Sequence, residues 1–144
     1  MSSPVTARPQ IRDLSSGTSL PELRKEPITK QQLVRYAGAS GDFNLIHTDD
    51  ETARQVGLEG VIAHGMLSMA FLGQYLCWLS GPESVRRFEV RFVGIVRPGD
   101  VLTCRGRVKS VASKSADHEV LIQMWAENQR GEQVTVGDAE VMIR

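Results

Sequence analysis

The sequence predicts an α+β domain in which one long apolar helix lies against an antiparallel sheet. From His64 to Ser80 the chain reads HGMLSMAFLGQYLCWLS, apolar on nearly every side, and a helix without a polar face has to be buried in a large core or a membrane. Beyond Gly81 the pattern changes to segments in which apolar and polar residues alternate, the mark of strands with one face on a core. The helical segments come first and the strands after them, the order that suits α+β with an antiparallel sheet.

Residues 1–18 are rich in Ser, Pro and Thr and are expected to form a flexible N-terminal extension, leaving 19–144 as a single domain. Ordered structure is expected from about Leu20. Thr29-Lys30-Gln31-Gln32 has capping-box spacing and opens a short helix through Leu33, Val34, Tyr36 and Ala37 that is expected to stop at Gly38. A polar loop follows from Ser40 to Thr48. Asp49, Asp50 and Glu51 then form the acidic start of a second short helix ending at Gly57. The apolar run from His64 to Ser80 is the central helix. Its 17 residues, its Gly73 and Gln74 and its lack of basic flanks argue against a membrane span.

Val85, Phe88, Val90 and Phe92 alternate nearly regularly with Arg86, Arg87, Glu89 and Arg91, and Pro98-Gly99-Asp100 forms a turn. Residues 101–112, 118–128 and 133–143 supply three more strands, the last two joined by a hairpin at Asn128-Gln129-Arg130-Gly131. These four segments are expected to form a meander.

At 144 residues, 41% hydrophobic and 24% charged, the chain is an ordinary globular domain. Seventeen basic side chains balance seventeen acidic ones, so no net field favours nucleic acid or an anionic membrane as partner. Cys77 and Cys104 form no CxxC pair and read as buried, reduced thiols. The N-terminus lacks the apolar core of a signal peptide, which makes a cytoplasmic location the expectation.

The densest group of reactive side chains is Gly41-Asp42-Phe43-Asn44-Leu45-Ile46-His47-Thr48-Asp49-Asp50. A carboxylate and an imidazole five residues apart in a loop can converge on one point if the loop curls, which is what general acid–base work needs. Beside this stands a purely structural alternative, with Asp42 as a turn-former after Gly41 and His47 preceding a helix cap. At Ala63-His64-Gly65-Met66 a turn leads into the apolar helix, whose first N–H groups lack internal partners and carry the positive end of the dipole. Gly65 would let a carbonyl approach this backbone and suits an oxyanion site; His64 is expected to play a supporting rather than a catalytic part.

Ser40-Gly41-Asp42-Phe43-Asn44-Leu45-Ile46-His47, with Ala53 following, resembles the hydratase motif of the MaoC-like, R-specific enoyl-thioester hydratases and dehydratases. Ile62-Ala63-His64-Gly65-Met66-Leu67 is similar to the start of their central helix, and the actinobacterial dehydratase subunits show the nearest likeness. The resemblance implies a hot-dog fold, a long helix rolled in an antiparallel sheet, pairing into a homodimer or a heterodimer with a related subunit. It implies reversible hydration of a trans-2-enoyl thioester carried on CoA or acyl carrier protein, with no cofactor and no metal. Carried over, Asp42 and His47 match the catalytic pair, Asn44 the residue that steadies the loop, and Gly65 the oxyanion donor. Leu45 stands where many members have Pro. Gly73 stands where some have a Ser supporting the dyad, a part for which Ser68 lies one turn away.

Arg105, Arg107 and Lys109 fall at alternate strand positions, and Arg86, Arg87 and Arg91 make a second basic group; either could meet phosphates or an acidic carrier, or be solvated strand residues. A hot-dog thioesterase would place a carboxylate on or near the central helix, and His64–Ser80 contains none. A non-catalytic subunit shaping a partner's acyl tunnel would not need the Asp42–His47 pair. A metal site from Asp42, His47, Asp49 and His64 matches no recognised ligand spacing.

Overall fold

The computed structural model describes residues 15–144. The expected N-terminal extension falls mostly on residues 1–14, outside the described residues. Its remainder runs along the sheet, with Gly17 N–H donating to Val108 O at 2.7 Å and Val108 N–H to Thr18 O at 2.9 Å.

A two-residue strand, β1 (Leu23–Arg24), precedes helix α1 (Lys30–Ser40). Thr29 caps α1 by accepting the Gln32 N–H at 3.1 Å. The helix continues past Gly38, because a glycine inside a helix costs only about 1 kcal/mol relative to alanine and does not end it. Gly41 ends it instead, in the left-handed conformation (φ 75°) that glycine adopts without penalty. Helix α2 (Asp50–Gln55) is capped by Asp49, and Gly57 (φ 92°) turns the chain away as expected.

The central helix α3 (Gly65–Ser80) lies against strands β2 (Val85–Phe92), β3 (Thr103–Lys114), β4 (Asp117–Glu127) and β5 (Gln133–Ile143). Its buried side chains Leu67, Phe71, Leu72, Tyr75, Leu76 and Leu79 join Val108, Val120, Ile122, Met124, Ala126, Ala139 and Val141 of the sheet in one core. A buried side chain of Leu or Phe size is worth roughly 1.5–3 kcal/mol, so this interface dominates the stability. Tyr75 crosses it, donating its hydroxyl to Pro21 O at 2.9 Å where Gly106 leaves room.

The sheet is antiparallel, in the order β1-β3-β4-β5-β2. The expected four-strand meander is therefore only three strands long. β2 pairs with β5, not with β3, and the chain crosses over between them to open the third strand through the turn at Gly99 (φ 94°). The hairpin at Asn128–Gly131 is present: Asn128 Oδ1 accepts the Arg130 and Glu132 N–H groups at 2.9 and 3.1 Å. The short β1, which pairs with β3, has too few residues to show a periodic pattern in the sequence.

Burial of α3 is also less complete than its composition implies. Met66, Ala70, Gln74 and Cys77 form an exposed stripe, so Cys77 is exposed while Cys104 is buried as expected. Burial pushes the Cys104 thiol up to about 12, leaving it protonated and inert.

At Gly137 of β5 an added Cβ would overlap the Glu89 carbonyl oxygen of β2 and sit 2.9 Å from Val90 Cα. Gly137→Ala should therefore lower stability by roughly 1–3 kcal/mol. Gly38→Ala, in α1 with nothing within 4 Å, should raise it by about 0.5–1 kcal/mol. Urea denaturation of the two variants checks the pair; equal effects would mean that strand contact at Gly137 is looser than described.

Candidate functional site

The loop between α1 and α2 is built by short side-chain-to-backbone bonds. Asp42 Oδ1 accepts the Asn44 N–H at 3.2 Å, and Asn44 Oδ1 accepts the Ile46 N–H at 3.2 Å. Asn44 thereby caps a single 3₁₀ turn, Leu45–His47, that lifts His47 into the protein. These turns supply the curl that a convergence of Asp42 and His47 requires. Leu45 fits this turn where proline is common in the resembling family, because the Asn44 cap sets the conformation.

His47 is buried and Asp42 exposed. His47 Nδ1 lies 2.8 Å from the Ile62 carbonyl oxygen. A carbonyl can only accept, so Nδ1 carries the hydrogen and Nε2 of the neutral ring presents a lone pair. That Nε2 faces Asp42 Oδ2 at 3.7 Å. The separation is too long for a direct hydrogen bond, and an oxygen atom placed between the two groups can touch both.

Asp50 holds the surrounding segment in place: its Oδ1 accepts the Val61 N–H at 2.9 Å and its Oδ2 pairs with Lys30 at 2.5 Å. The Lys30 hydrogen bond, then that from Val61, keeps the Asp50 carboxyl below its usual value. Ile62 N–H donates in turn to Ile46 O at 3.1 Å, joining the turn before α3 to the His47 loop.

His64 stands at the N-terminus of α3 but makes no side-chain cap. Its Nε2 donates to the Asp42 carbonyl oxygen at 3.1 Å, and its ring stacks on His47 with centroids 3.8 Å apart and planes 23° from parallel. Gly65 is the first residue of α3. The space its side chain would fill is taken by the Phe92 ring, 3.2 Å from where a Cβ would lie. A side chain at Gly65 would therefore press on the Phe92 ring beside the helix start. Ser68, one turn on, is buried and donates to Gly65 O at 2.7 Å while its Oγ lies 2.5 Å from Thr135 Oγ1. It ties the helix start to β5 and does not reach toward the dyad.

The basic residues are distributed differently. Arg105 sits between Glu22 (2.5 Å) and Glu127 (2.7 Å), Arg87 pairs with Glu89 and Glu140, and Lys109 with Asp138. Arg107 donates to Gln123, and Arg86 to Glu83 O. Carboxylates thus meet three of these six charges, Arg107 and Arg86 bond to neutral groups, and Arg91 alone of the six has no partner among the described residues. A cavity of about 570 Å³ lies beside Arg91, Lys109, Gln123, Trp125 and Asp138, on the sheet face turned from α3 and away from the Asp42–His47 pair.

Asp42, His47 and His64 each bring a ligand-capable atom within 4.8 Å of the others. The Asp49 carboxylate is spent on Thr52, whose N–H it accepts at 2.9 Å and whose hydroxyl, the first cause, holds the Asp49 carboxyl low.

Three contributors carry no signal in the sequence: the Ile62 carbonyl, a backbone group; Phe92, which reads as an ordinary strand residue; and Tyr36, whose ring lies 4.8 Å from that of His64. Histidine nitrogen NMR should show the neutral form of the His47 ring as the Nδ1–H tautomer; an Nε2–H signal would break the assigned bond to Ile62.

Residues 15–129 match the family model described as a MaoC like domain. Over 95 residues the chain is 38% identical to 3-hydroxyacyl-thioester dehydratase X of Mycobacterium tuberculosis, covering 58% of this chain and 32% of that protein. It is 36% identical over 114 residues to fatty acid synthase subunit beta of Aspergillus oryzae, covering 76% of this chain but only 5% of that much longer protein. The unliganded R-hydratase PhaJ1 of Pseudomonas aeruginosa superposes with a TM-score of 0.79 at 31% identity, over 90% of this chain and 81% of that one. By its matching sequence span, its buried helix and its wrapping antiparallel sheet, this chain belongs to the MaoC-like dehydratase family and has its hot-dog fold.

Proposed function

We propose that the chain is a hydro-lyase that reversibly converts an R-3-hydroxyacyl thioester into a trans-2-enoyl thioester and water. The observation that carries this reading is the His47 Nε2 lone pair facing Asp42 Oδ2 at 3.7 Å, with the tautomer held by Ile62 O.

Dehydration needs the C2 proton and the C3 hydroxyl to leave from adjacent carbons. His47 Nε2 takes the C2 proton, and the electron pair of that C–H bond moves into the thioester carbonyl as an enolate. The carbonyl then re-forms, its electron pair making the C2–C3 double bond as the C3–O bond breaks, and the departing hydroxide takes a proton from the Asp42–His47 pair to leave as water. Hydration runs the same steps in reverse, with the pair positioning the water. Gly65, at the positive end of α3, offers its N–H to the enolate oxygen, a donor of a kind worth about 3 kcal/mol in the transition state. These steps need no metal and no cofactor beyond the CoA or carrier-protein arm on which the substrate arrives. Hydrolysis of the thioester is disfavoured because α3 carries no carboxylate.

A second protomer is part of this reading. Phe43 (67% exposed), Leu45, Met66, Phe92 (50%), Val93 and Ile95 leave apolar surface on the dyad loop, the helix start and the end of β2. β2 lies at the edge of the sheet and pairs on one side only among the described residues. Exposed apolar clusters and bare edges call for a cover, and a second copy or a related subunit would supply it while narrowing the site. No helix among the described residues is long and apolar enough to cross a membrane.

Asp42→Asn and His47→Ala should each cut turnover of a short trans-2-enoyl-CoA about 10²–10⁴-fold with the circular dichroism spectrum unchanged. His47→Ala retaining most of its rate sinks the reading. Gly65→Val should slow the reaction, through the lost carbonyl approach and a displaced Phe92. Light scattering after gel filtration should give at least twice the 15.9 kDa chain mass, for this chain alone or with a co-expressed related subunit; a monomer in both cases removes the second protomer.

A further inference from the structure

The mechanism above leaves His64 unused, although it touches both members of the dyad. It is 2% exposed, and its Nδ1 is buried with no hydrogen-bond partner. Because Nε2 donates to the Asp42 carbonyl, Nδ1 is the bare nitrogen of a neutral ring. Protonating it would place an unpartnered cationic N–H in a dry site beside His47. Burial, the largest cause, accordingly holds His64 below the ordinary histidine value, opposed by the Asp42 carbonyl bond and reinforced by His47. The titratable groups facing it are His47 and Asp42 from the loop and Tyr36 from α1.

A neutral aromatic ring has an electron-rich face, and a cation within about 6 Å of the ring centre is attracted to it. His47 lies 3.8 Å from that face, nearly parallel. When His47 takes a proton it becomes such a cation. A second protonated histidine at that distance would repel it; a neutral one supports it.

We propose that His64 is a positioning residue for this site: its Nε2–H holds the Asp42 backbone so that the carboxylate faces His47, and its neutral ring face stabilises the His47 imidazolium formed during turnover. Its kinetic consequence rests on the hydro-lyase reading, whereas its effect on His47 does not.

Two substitutions separate the two contacts. His64→Gln keeps a donor toward Asp42 and removes the ring. It should lower kcat about threefold with KM changed less than about twofold, and move the acid limb of kcat/KM to lower pH by about 0.5 unit, the size expected of a modest cation–π contact. His64→Phe keeps a ring face and removes the donor, so the acid limb should stay in place while kcat falls through a loosened Asp42. NMR titration of the His47 ring, without substrate, should reproduce the difference between the two variants, and His64→Leu, which removes both contacts, should show both the displaced limb and the lower kcat if the Gln variant does not fold. An unchanged kcat and acid limb in His64→Gln, or an equal displacement of the limb in His64→Phe, overturns the proposal. Wild-type protein inactive on every enoyl thioester would overturn the reaction assignment and leave the NMR arm to decide the part played by His64.

Discussion

An apolar helix has to be covered, and in this chain nearly everything else is arranged around covering α3. The sheet presents Val108, Val120, Ile122, Met124, Ala126, Ala139 and Val141 to it, and the close passages at Gly106 and Gly137 let side chain and backbone approach where any larger residue would hold them apart. The large apolar area removed from water fixes the axis of α3, and with it the position of the helix start, which Ser68 and Thr135 pin to β5. A site that uses the first turn of this helix inherits the rigidity of the core.

The reactive side chains hang on that rigid point through the backbone. Ile62, immediately before the helix, offers its carbonyl to His47, and His64 reaches back to the Asp42 carbonyl. Each catalytic candidate is thus oriented by the segment leading into α3, although both belong to the preceding loop. Asn44 and Asp42 contribute their own short turns, so the loop is held from within and from behind. Only one nitrogen of each histidine remains uncommitted, which gives two chemically similar rings different parts: one with a lone pair turned toward the Asp42 carboxylate, one sealed behind it.

The remaining face is unfinished in a single chain. The exposed stripe of α3, the outer edge of β2 and the aromatic and aliphatic residues near the dyad lie on surface that water covers poorly. Of the six basic residues on these strands, Arg87, Arg105 and Lys109 are matched by nearby carboxylates.

Much of this was legible in residue order. Helix-first, strand-later patterning and the unbroken apolar run specify α+β with a central helix, because periodicity of 3.6 or 2 residues is a local property. Asp42 and His47 were recognisable because their spacing and neighbours form a short motif, and Asn44 because a side chain that caps a turn acts within three residues. Tertiary structure decided what depends on distant partners. Gly41 rather than Gly38 ends α1 because a left-handed residue is needed where the loop departs. β2 joins β5 because strand pairing is settled by the whole sheet, and Cys77 faces outward because the sheet covers only one side of α3. The His47 tautomer and the placement of His64 depend on backbone carbonyls, which every residue possesses and no sequence pattern distinguishes. Sequence alone determined which groups could react; only the folded chain determined which way they point, since orientation is set by contacts between residues far apart in the chain.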